Sequence, residues 1–251
     1  KKWVEDAMAA QSGSKQIKLY TGGALTFTGG TPEKDKVGNY EYGLRPNAAS
    51  TEIYFEANQF QNAKESLTGT LPVYGSAYGG TSTLGNTVHD NTLTVDGASI
   101  PSGNVYGGWN QSQTGDAKKN TLVFKDITST TTGYGYAGYA VNGDATNNTA
   151  VLNKATAATS LYLYGGKSAS GGDETSGNTI QVVSSNNNIA RMYNFEKMQF
   201  DLNGSINSGD HMLYVRDYTG QSFDWSNIHA TGGKKWVEDA MAAQSGSKQI
   251  K

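Results

Sequence analysis

Short apolar and β-branched runs alternate with polar residues through the middle of the chain. Leu93-Thr94-Val95 and Leu122-Val123-Phe124 are examples, and stretches rich in Gly, Asn, Asp and Ser separate them. Runs of this length, bounded by turn-forming residues, predict short β-strands joined by turns. None of the runs approaches the roughly 20 apolar residues that a membrane-spanning helix needs. We therefore predict an all-β protein without a transmembrane segment.

Two sequence markers recur among these predicted strands with one common period. The first is an Asn-Thr step that opens a strand, at Asn91-Thr92, Asn120-Thr121, Asn148-Thr149 and Asn178-Thr179. The second is a Tyr-x-Gly step that closes another strand, at Tyr78, Tyr106, Tyr136 and Tyr164. Both recur at roughly 29 residues, within the range of about 20 to 50 residues that is typical of stacked, solenoid architecture. The predicted fold is a parallel β-helix, or β-solenoid.

We assign residues 19–233 to the solenoid, with the clearest repeats over residues 71–183. At about 4.8 Å per coil, roughly eight coils would give an axial length of roughly 40 Å. Before Leu71 the pattern is less regular: residues 52–55 predict a strand, residues 33–36 a charged loop, and residues 59–70 a helical turn or a long loop. Alternating segments after Val183 predict the last coils.

The two ends of the chain carry the same sequence. Residues 1–18 reappear without a single change as residues 234–251. Helical spacing of Trp3, Val4, Ala7 and Met8 predicts a helix in each copy, followed by a short strand that begins in the first copy at Lys15. The duplication fits a tandem array of units that each correspond to residues 1–233, a segment engineered onto both ends, or part of a neighbouring subunit of a polymer.

A solenoid end exposes unpaired backbone and must be capped or joined to another copy. The duplicated segments are the predicted place for this. Their apolar residues are candidate assembly or cap contacts: Trp3, Met8, Trp236 and Met241. If the segments join successive units, the protein self-associates end to end into a fibre. If they are caps, the isolated rod is a display platform.

Charge and composition exclude several classes of function. The net charge is −2 and the Lys and Arg residues are dispersed, so nucleic acid is not a predicted partner. There are no cysteines, which excludes disulfides and thiolate metal sites. The calcium-binding nonapeptide pattern and the phosphate-binding loop are both missing from the sequence. No metal or other cofactor is predicted.

Enzyme chemistry has little support in the sequence. The three histidines lie far apart, and no Gly-x-Ser-x-Gly nucleophile motif occurs. Five acidic residues flank the repeated strands in turn-like contexts, where Asp commonly bonds the local backbone: Asp90, Asp96, Asp116, Asp126 and Asp144. We predict that the protein is not an enzyme. The alternative is a carbohydrate-active β-helix enzyme that uses grouped carboxylates.

The repeated Asn and Tyr residues each have a structural and a binding interpretation. Stacked Asn side chains are expected to bond their counterparts on adjacent coils, which satisfies buried backbone groups. The Tyr-x-Gly steps are expected at sharp corners, with Tyr78, Tyr106, Tyr136 and Tyr164 stacked in a column. If that column faces solvent, the chain is a module that binds glycans or a partner protein.

The repeated phrase also resembles a known family. Residues 91–97 (Asn-Thr-Leu-Thr-Val-Asp-Gly), the following Tyr106-Gly107-Gly108 and the ending over residues 193–215 resemble passenger domains of bacterial autotransporters. The resemblance implies a right-handed parallel β-helix at the bacterial cell surface, often an adhesin. Its implied partners are glycans or proteins of a host or neighbouring cell. We therefore predict an extracellular β-solenoid with a structural or adhesive role.

Overall fold

The chain folds as a β-solenoid, as predicted, but with fewer coils than expected. The computed structural model describes residue 2 and residues 15–20, 34–46, 52–129, 132–203, 206–207, 209–217 and 220–242. Strands make up 51% of the structure, and parallel coils stack in about six turns. Six coils at about 4.8 Å each span roughly 29 Å, shorter than the predicted rod. The difference arises because the strands before residue 60 do not form coils.

Four antiparallel strands precede the solenoid and form an N-terminal sheet in the order β1-β4-β3-β2. The strands are β1 (Lys15–Tyr20), β2 (Lys34–Val37), β3 (Tyr40–Pro46) and β4 (Glu52–Gln59). Strand β2 replaces the predicted charged loop, because Gly38 and Asn39 turn the chain directly back into β3. A two-residue turn that contains Gly and Asn is a strong hairpin signal. The solenoid therefore does not begin at residue 19.

The longest solenoid sheet has seven parallel strands in register. They are β5 (Lys64–Leu67), β8 (Thr92–Asp96), β11 (Thr121–Lys125), β13 (Thr149–Asn153), β15 (Thr179–Val182), β18 (Lys197–Leu202) and β20 (Ile228–Gly232). The first of them, β5, lies where a helical turn or a long loop was expected. Its Lys-Glu-Ser-Leu sequence lacks the apolar alternation of the later strands, and pairing with β8 decides its structure.

A five-stranded parallel sheet forms the second side of the coils. It contains β6 (Ser76–Ser82), β9 (Asn104–Asn110), β12 (Thr132–Ala140), β14 (Ser160–Ser168) and β17 (Arg191–Tyr193). Two short parallel pairs lie outside these sheets: β7 (Val88–His89) with β10 (Ala117–Lys118), and β16 (Asn187–Ile189) with β19 (Leu213–Val215). The strands predicted after Val183 are thus confirmed.

The hydrophobic core lies inside the coils, between the two large sheets. Alternation along β11 buries Leu122 and Phe124 completely, while Val123 between them is only half-buried. Val105 and Leu163 of the five-stranded sheet belong to the same core. In-register stacking brings the same strand position inward in each coil, so that the apolar residues form one continuous column.

The helix predicted in the second copy of the duplicated segment is confirmed. Gly232, the last residue of β20, and Gly233 adopt positive φ (77° and 80°), and helix α1 spans Lys234–Ala242. In the first copy of the duplicated segment, strand β1 confirms the predicted strand. Among the described residues, no helix has both the length and the apolar character needed to cross a bilayer.

Candidate functional site

The Asn residues of the first marker form a buried ladder through the coils. Asn91, Asn120, Asn148 and Asn178 are at most 1% exposed. Each of the first three carboxamides donates to the Oδ1 of the next Asn, over 2.9 Å, 3.2 Å and 3.3 Å in sequence order. The backbone N–H of each donor Asn bonds the same oxygen at 2.8–3.2 Å. The predicted structural role of these residues is confirmed.

The same carboxamides close the sharp corner of each coil. The side chain of Asn120 also donates to the carbonyl oxygen of Val88 at 3.0 Å, and that of Asn148 donates to Ala117 at the same distance. The residue before each ladder Asn adopts positive φ, as Lys119 does at 56°. This residue, and not the Tyr-x-Gly step, makes the turn.

The prediction that the Tyr-x-Gly steps lie at corners is wrong. Their glycines lie within strands and have no positive φ: Gly80, Gly108, Gly138 and Gly166. A Cβ atom on any of them would come within 3.0 Å of the side chain of the ladder Asn beside it. Glycine is needed here because the carboxamide fills the space that a side chain would occupy. The two markers share one period because they contact each other.

The Tyr residues of the second marker lie on the outer face of the five-stranded sheet. Tyr78, Tyr106, Tyr136 and Tyr164 occupy one register position, and Tyr193 of β17 extends the column. Ring centroids are 5.2 Å apart from Tyr106 to Tyr136, 4.9 Å from there to Tyr164 and 4.7 Å from there to Tyr193. Near-parallel rings at this spacing are in the favourable offset-stacked range.

Two further aromatic columns flank this one, and the sequence analysis missed both. Tyr134 and Tyr162 stack at 5.3 Å on one side, and the Arg191 guanidinium lies 5.2 Å from the ring centre of Tyr162. Trp109 stacks on Tyr106 at 4.7 Å from the other side. The available signal was the alternation Tyr134-Gly135-Tyr136 and Tyr162-Leu163-Tyr164, which places both tyrosines on one face. We call the whole set the aromatic face: Tyr78, Tyr106, Trp109, Tyr134, Tyr136, Tyr139, Tyr162, Tyr164 and Tyr193.

Exposure differs across the aromatic face. Tyr106 in the central column is only 4% exposed, because Trp109, Tyr136 and Tyr139 pack around its ring. Tyr134 in the flanking column is 43% exposed. The centre of the face therefore supports the sheet, whereas the flanking column of Tyr134 and Tyr162 is available for contact with another molecule.

Three phenols of the central column have a raised pKa: those of Tyr106, Tyr136 and Tyr164. Burial raises the pKa of Tyr106 and of Tyr136, and nearby phenols raise the pKa of Tyr136 further. Burial, followed by the charge of Tyr193, raises the pKa of Tyr164 to about 12. At physiological pH these groups are neutral hydroxyls that can donate hydrogen bonds.

We expect alkali to unfold the protein through this column. A folded-state pKa above the unfolded value of about 10 means that the native state holds its proton more tightly, so stability is full below pH 10 and falls as pH rises toward 12. Tyrosinate absorbance and circular dichroism, followed together, would show late ionisation accompanied by loss of β-structure. Titration of all tyrosines near pH 10 with an unchanged dichroism spectrum would contradict this.

Four of the five acidic residues considered for catalysis form ion pairs with lysines beside the coils, and Asp90 is hydrogen-bonded to His89. Lys125 pairs with Asp96 at 2.8 Å, Lys118 pairs with Asp116 at 2.8 Å, and the Asp90 carboxylate lies 2.6 Å from His89 Nδ1. The remaining two pairs are Lys154–Asp126 at 3.4 Å and Lys118–Asp144 at 3.5 Å. The Asp116 carboxylate also accepts the backbone N–H of Asp144 at 2.9 Å, which fits the expected bonding to turn backbone. Within the described ranges, no three His, Asp or Glu side chains are grouped to hold a metal ion.

Of the four candidate assembly residues, the structure describes the side chain of Met241 alone. Trp3 and Met8 lie outside the described residues, as does the side chain of Trp236. Met241 lies on α1 and is 74% exposed. The assembly or cap contact of these four residues therefore stays a prediction.

A buried carboxylate that sequence reasoning missed attaches the N-terminal sheet to the first coil. Glu41 of β3 is fully buried. It accepts hydrogen bonds at 2.7 Å from the Ser82 hydroxyl, the Asn86 amide and the backbone N–H of Thr83. The Leu84 N–H at 3.1 Å and the Asn58 amide at 3.2 Å complete the set. Only the tertiary fold reveals this site, because most of its donors lie far from Glu41 in the sequence.

Comparison with known proteins identifies no relative of this chain. No protein-family model, no curated protein and no solved structure matches it. The resemblance to autotransporter passengers therefore stays a prediction. The function has to be argued from the geometry of the molecule.

Proposed function

We propose that this protein is a structural and adhesive β-solenoid, displayed outside a bacterial cell, that binds polysaccharide through its aromatic face. The observation that carries the proposal is the repetition of aromatic side chains once per coil, in columns along a parallel sheet. A surface with one repeating unit per coil fits a ligand that is itself a linear repeat.

The aromatic face has the chemical character of a contact surface. Tyr, Trp and Arg are enriched in binding interfaces, and Tyr and Trp offer large contact areas at a low cost in side-chain entropy. Half-buried Tyr162 and Trp109 are held in place by stacking, and the more exposed Tyr134 lies among them. A ligand would meet rings that are already ordered, which lowers the entropic cost of binding.

Charge and hydrogen-bonding capacity favour a neutral glycan as the ligand. The cations at the edge of the face are paired: Lys167 with Glu174 at 2.8 Å and Arg191 with Asp217 at 3.4 Å. Paired cations offer a nucleic-acid backbone little net attraction. Sugar rings present C–H faces that pack on aromatic rings, and they carry hydroxyls that bond neutral phenols. Tyrosine phenols are neutral at physiological pH, because their ordinary pKa is about 10.

The Asn ladder accounts for the structural part of this function. Carboxamides bonded from coil to coil hold the strands in register, which keeps the aromatic columns aligned. A rigid support is what an adhesive surface requires, because each ring is then positioned before the ligand arrives.

We expect the double variant Tyr134→Ala/Tyr162→Ala to bind neutral polysaccharide about 10- to 100-fold more weakly than the unmodified protein. We expect each of the two lost aromatic contacts to cost about 0.7–1.4 kcal/mol, and each 1.4 kcal/mol of the sum is about a factor of ten. Co-sedimentation with insoluble cellulose, chitin and β-glucan, over a concentration series, would measure the change.

Trp225→Ala is the matched control for this experiment. Trp225 is 86% exposed, lies in the 3-10 turn Trp225–Asn227 and is not one of the residues of the aromatic face. Its replacement removes an exposed aromatic side chain and should leave binding unchanged. The proposal fails if the unmodified protein binds none of the polysaccharides, or if the double variant remains folded and binds as well as the control.

A further inference from the structure

Among the strands that the structure describes, β1 is the outermost of the N-terminal sheet and pairs with β4 alone. It pairs antiparallel with β4 along its whole length, from Lys15 opposite Ala57 to Tyr20 opposite Glu52. β4 bonds β3 on its other side. Removal of β1 would expose the edge of β4 and leave the β4-β3-β2 pairing in place.

The C-terminal segment contains a second copy of the sequence that fills this edge. Lys248-Gln249-Ile250-Lys251 repeats Lys15-Gln16-Ile17-Lys18, and the segments that precede the two copies, residues 234–247 and residues 1–14, are also identical. Any backbone bond or side-chain contact that residues 15–18 make with β4 can therefore be made by residues 248–251.

We propose that residues 234–251 of one molecule bind the β4 edge of a second molecule in place of its own β1, and that this strand exchange joins molecules end to end. Addition of a strand to a sheet edge is an established mode of recognition, and exchange of identical elements is a low-cost route to assembly. Because donor and acceptor are different surfaces, the contact is head-to-tail and can grow into a filament.

The positions of the two segments suit this arrangement. Strand β4 lies before the first coil, whereas α1 follows β20, the last strand of the seven-stranded sheet. β20 is six strand steps, or roughly 29 Å, from β5 at the other edge of that sheet. Four of the five residues of β20 are exposed. A cavity of about 560 Å³ in the last coil is lined by Met198, Phe200, Leu213, Val215 and Phe223 among others. A second molecule seated at this end would cover both the exposed strand and the apolar cavity.

The two copies compete for one edge, and residues 248–251 match the first four of the six β1 residues that pair with β4, so concentration decides how far the C-terminal copy displaces β1. Burial of the last coil against a second molecule favours the exchanged form, and loss of translational freedom opposes it. The inference does not depend on the proposed glycan binding, because the aromatic face takes no part in it.

The identical copies provide a matched pair of variants in the full chain. Gln16→Pro/Ile17→Pro disables β1, and Gln249→Pro/Ile250→Pro disables the C-terminal copy. Adjacent residues of an antiparallel strand alternate in bonding their partner, so two successive prolines remove a ladder bond in either register. Sedimentation velocity over a concentration series, with electron microscopy, reports the association.

We expect the N-terminal proline pair to associate at least about tenfold more tightly than the unmodified chain, because its β4 edge is open to an intact donor. The C-terminal proline pair and the combined variant should remain monomeric. The inference is overturned if the C-terminal pair associates like the unmodified chain, or if the N-terminal pair associates no more tightly than it.

A disulfide between molecules reports the register of the exchanged strand. The chain has no cysteines, and Ile17 lies opposite Phe55. Ile250→Cys on one molecule should therefore crosslink with Phe55→Cys on another. Polymers without this crosslink would assign assembly to a different surface. A crosslink within a monomer that carries both changes would show the C-terminal copy on its own β4, which also overturns the inference.

Tyr134→Ala/Tyr162→Ala should assemble normally, so failure of glycan binding is distinguishable from failure of assembly.

Discussion

Asn120→Ala is expected to lower the free energy of unfolding by about 2–4 kcal/mol, since each buried group left unsatisfied costs about 1–3 kcal/mol. Asn120 is fully buried in the middle of the ladder, and its Oδ1 accepts the backbone N–H of Asn91 at 3.2 Å. Its amide donates to the Val88 carbonyl at 3.0 Å. Alanine leaves the Asn91 N–H and the Val88 carbonyl without these partners.

The loss should spread beyond one coil, because the ladder is continuous. Asn91 on one side and Asn148 on the other both bond Asn120, so neighbouring corners loosen together. Chemical denaturation would give the free energy, and hydrogen exchange would show which coils lose protection. Asn142→Ala is the control: Asn142 is exposed and donates to the Gln113 carbonyl at 3.0 Å, so we expect a change of about 0.5 kcal/mol or less. If the two substitutions lower the free energy of unfolding equally, the Asn ladder is not a main source of coil stability.

Glu41→Ala is expected to detach the N-terminal sheet from the solenoid, at a cost of about 3–5 kcal/mol. A buried carboxylate that accepts five hydrogen bonds contributes more than a neutral acceptor, and alanine leaves the Thr83 and Leu84 N–H groups without that acceptor. Limited proteolysis and hydrogen exchange should show β2 to β4 opening while the coils after β8 stay protected. Exchange at residues 34–46 and 52–59 is therefore the decisive measurement.

Two further variants separate the charge of Glu41 from its shape. Glu41→Gln keeps the outline and one oxygen, but turns an NH₂ group toward Ser82 or Asn86, so its stability should lie between those of the unmodified chain and Glu41→Ala. Asp35→Ala removes an exposed carboxylate from the same sheet and should leave exchange there nearly unchanged. If β3 and β4 are as well protected from hydrogen exchange in Glu41→Ala as in Asp35→Ala, contacts other than those of Glu41 attach the sheet to the solenoid.

The part of the fold that could be predicted from the sequence alone is the part that repeats with a constant period. The regular spacing of Asn91, Asn120, Asn148 and Asn178 reproduces the register of β8, β11, β13 and β15, because in-register parallel coils place equivalent residues side by side. Where a coil departs from the repeat, prediction failed. Strand β5 lacks the Asn-Thr step and alternating apolar residues, so pairing with its neighbour, a long-range effect, decides its structure.

The candidate site residues also fall into two groups: those that the sequence period predicts and those that depend on tertiary contacts. The column of Tyr78, Tyr106, Tyr136 and Tyr164 follows from the period alone. Its extension to Tyr193, the flanking Tyr134 and the packing around Tyr106 depend on which strand faces which, and a single sequence does not show that. Glu41 was hidden for the same reason.

The sequence by itself determined that parallel strands stack in repeated coils, that Asn holds them together, and that the last helix and strand β1 form where the duplicated segments predict them. Local alternation and a constant period suffice for this, because each coil contacts only its neighbours. Only the tertiary structure decided that the first four strands are antiparallel, that the repeated glycines make room for the Asn side chains, and that the aromatic residues of three columns share one outer face. These features depend on contacts between distant residues, whose geometry exists only once the coils have closed around a common core.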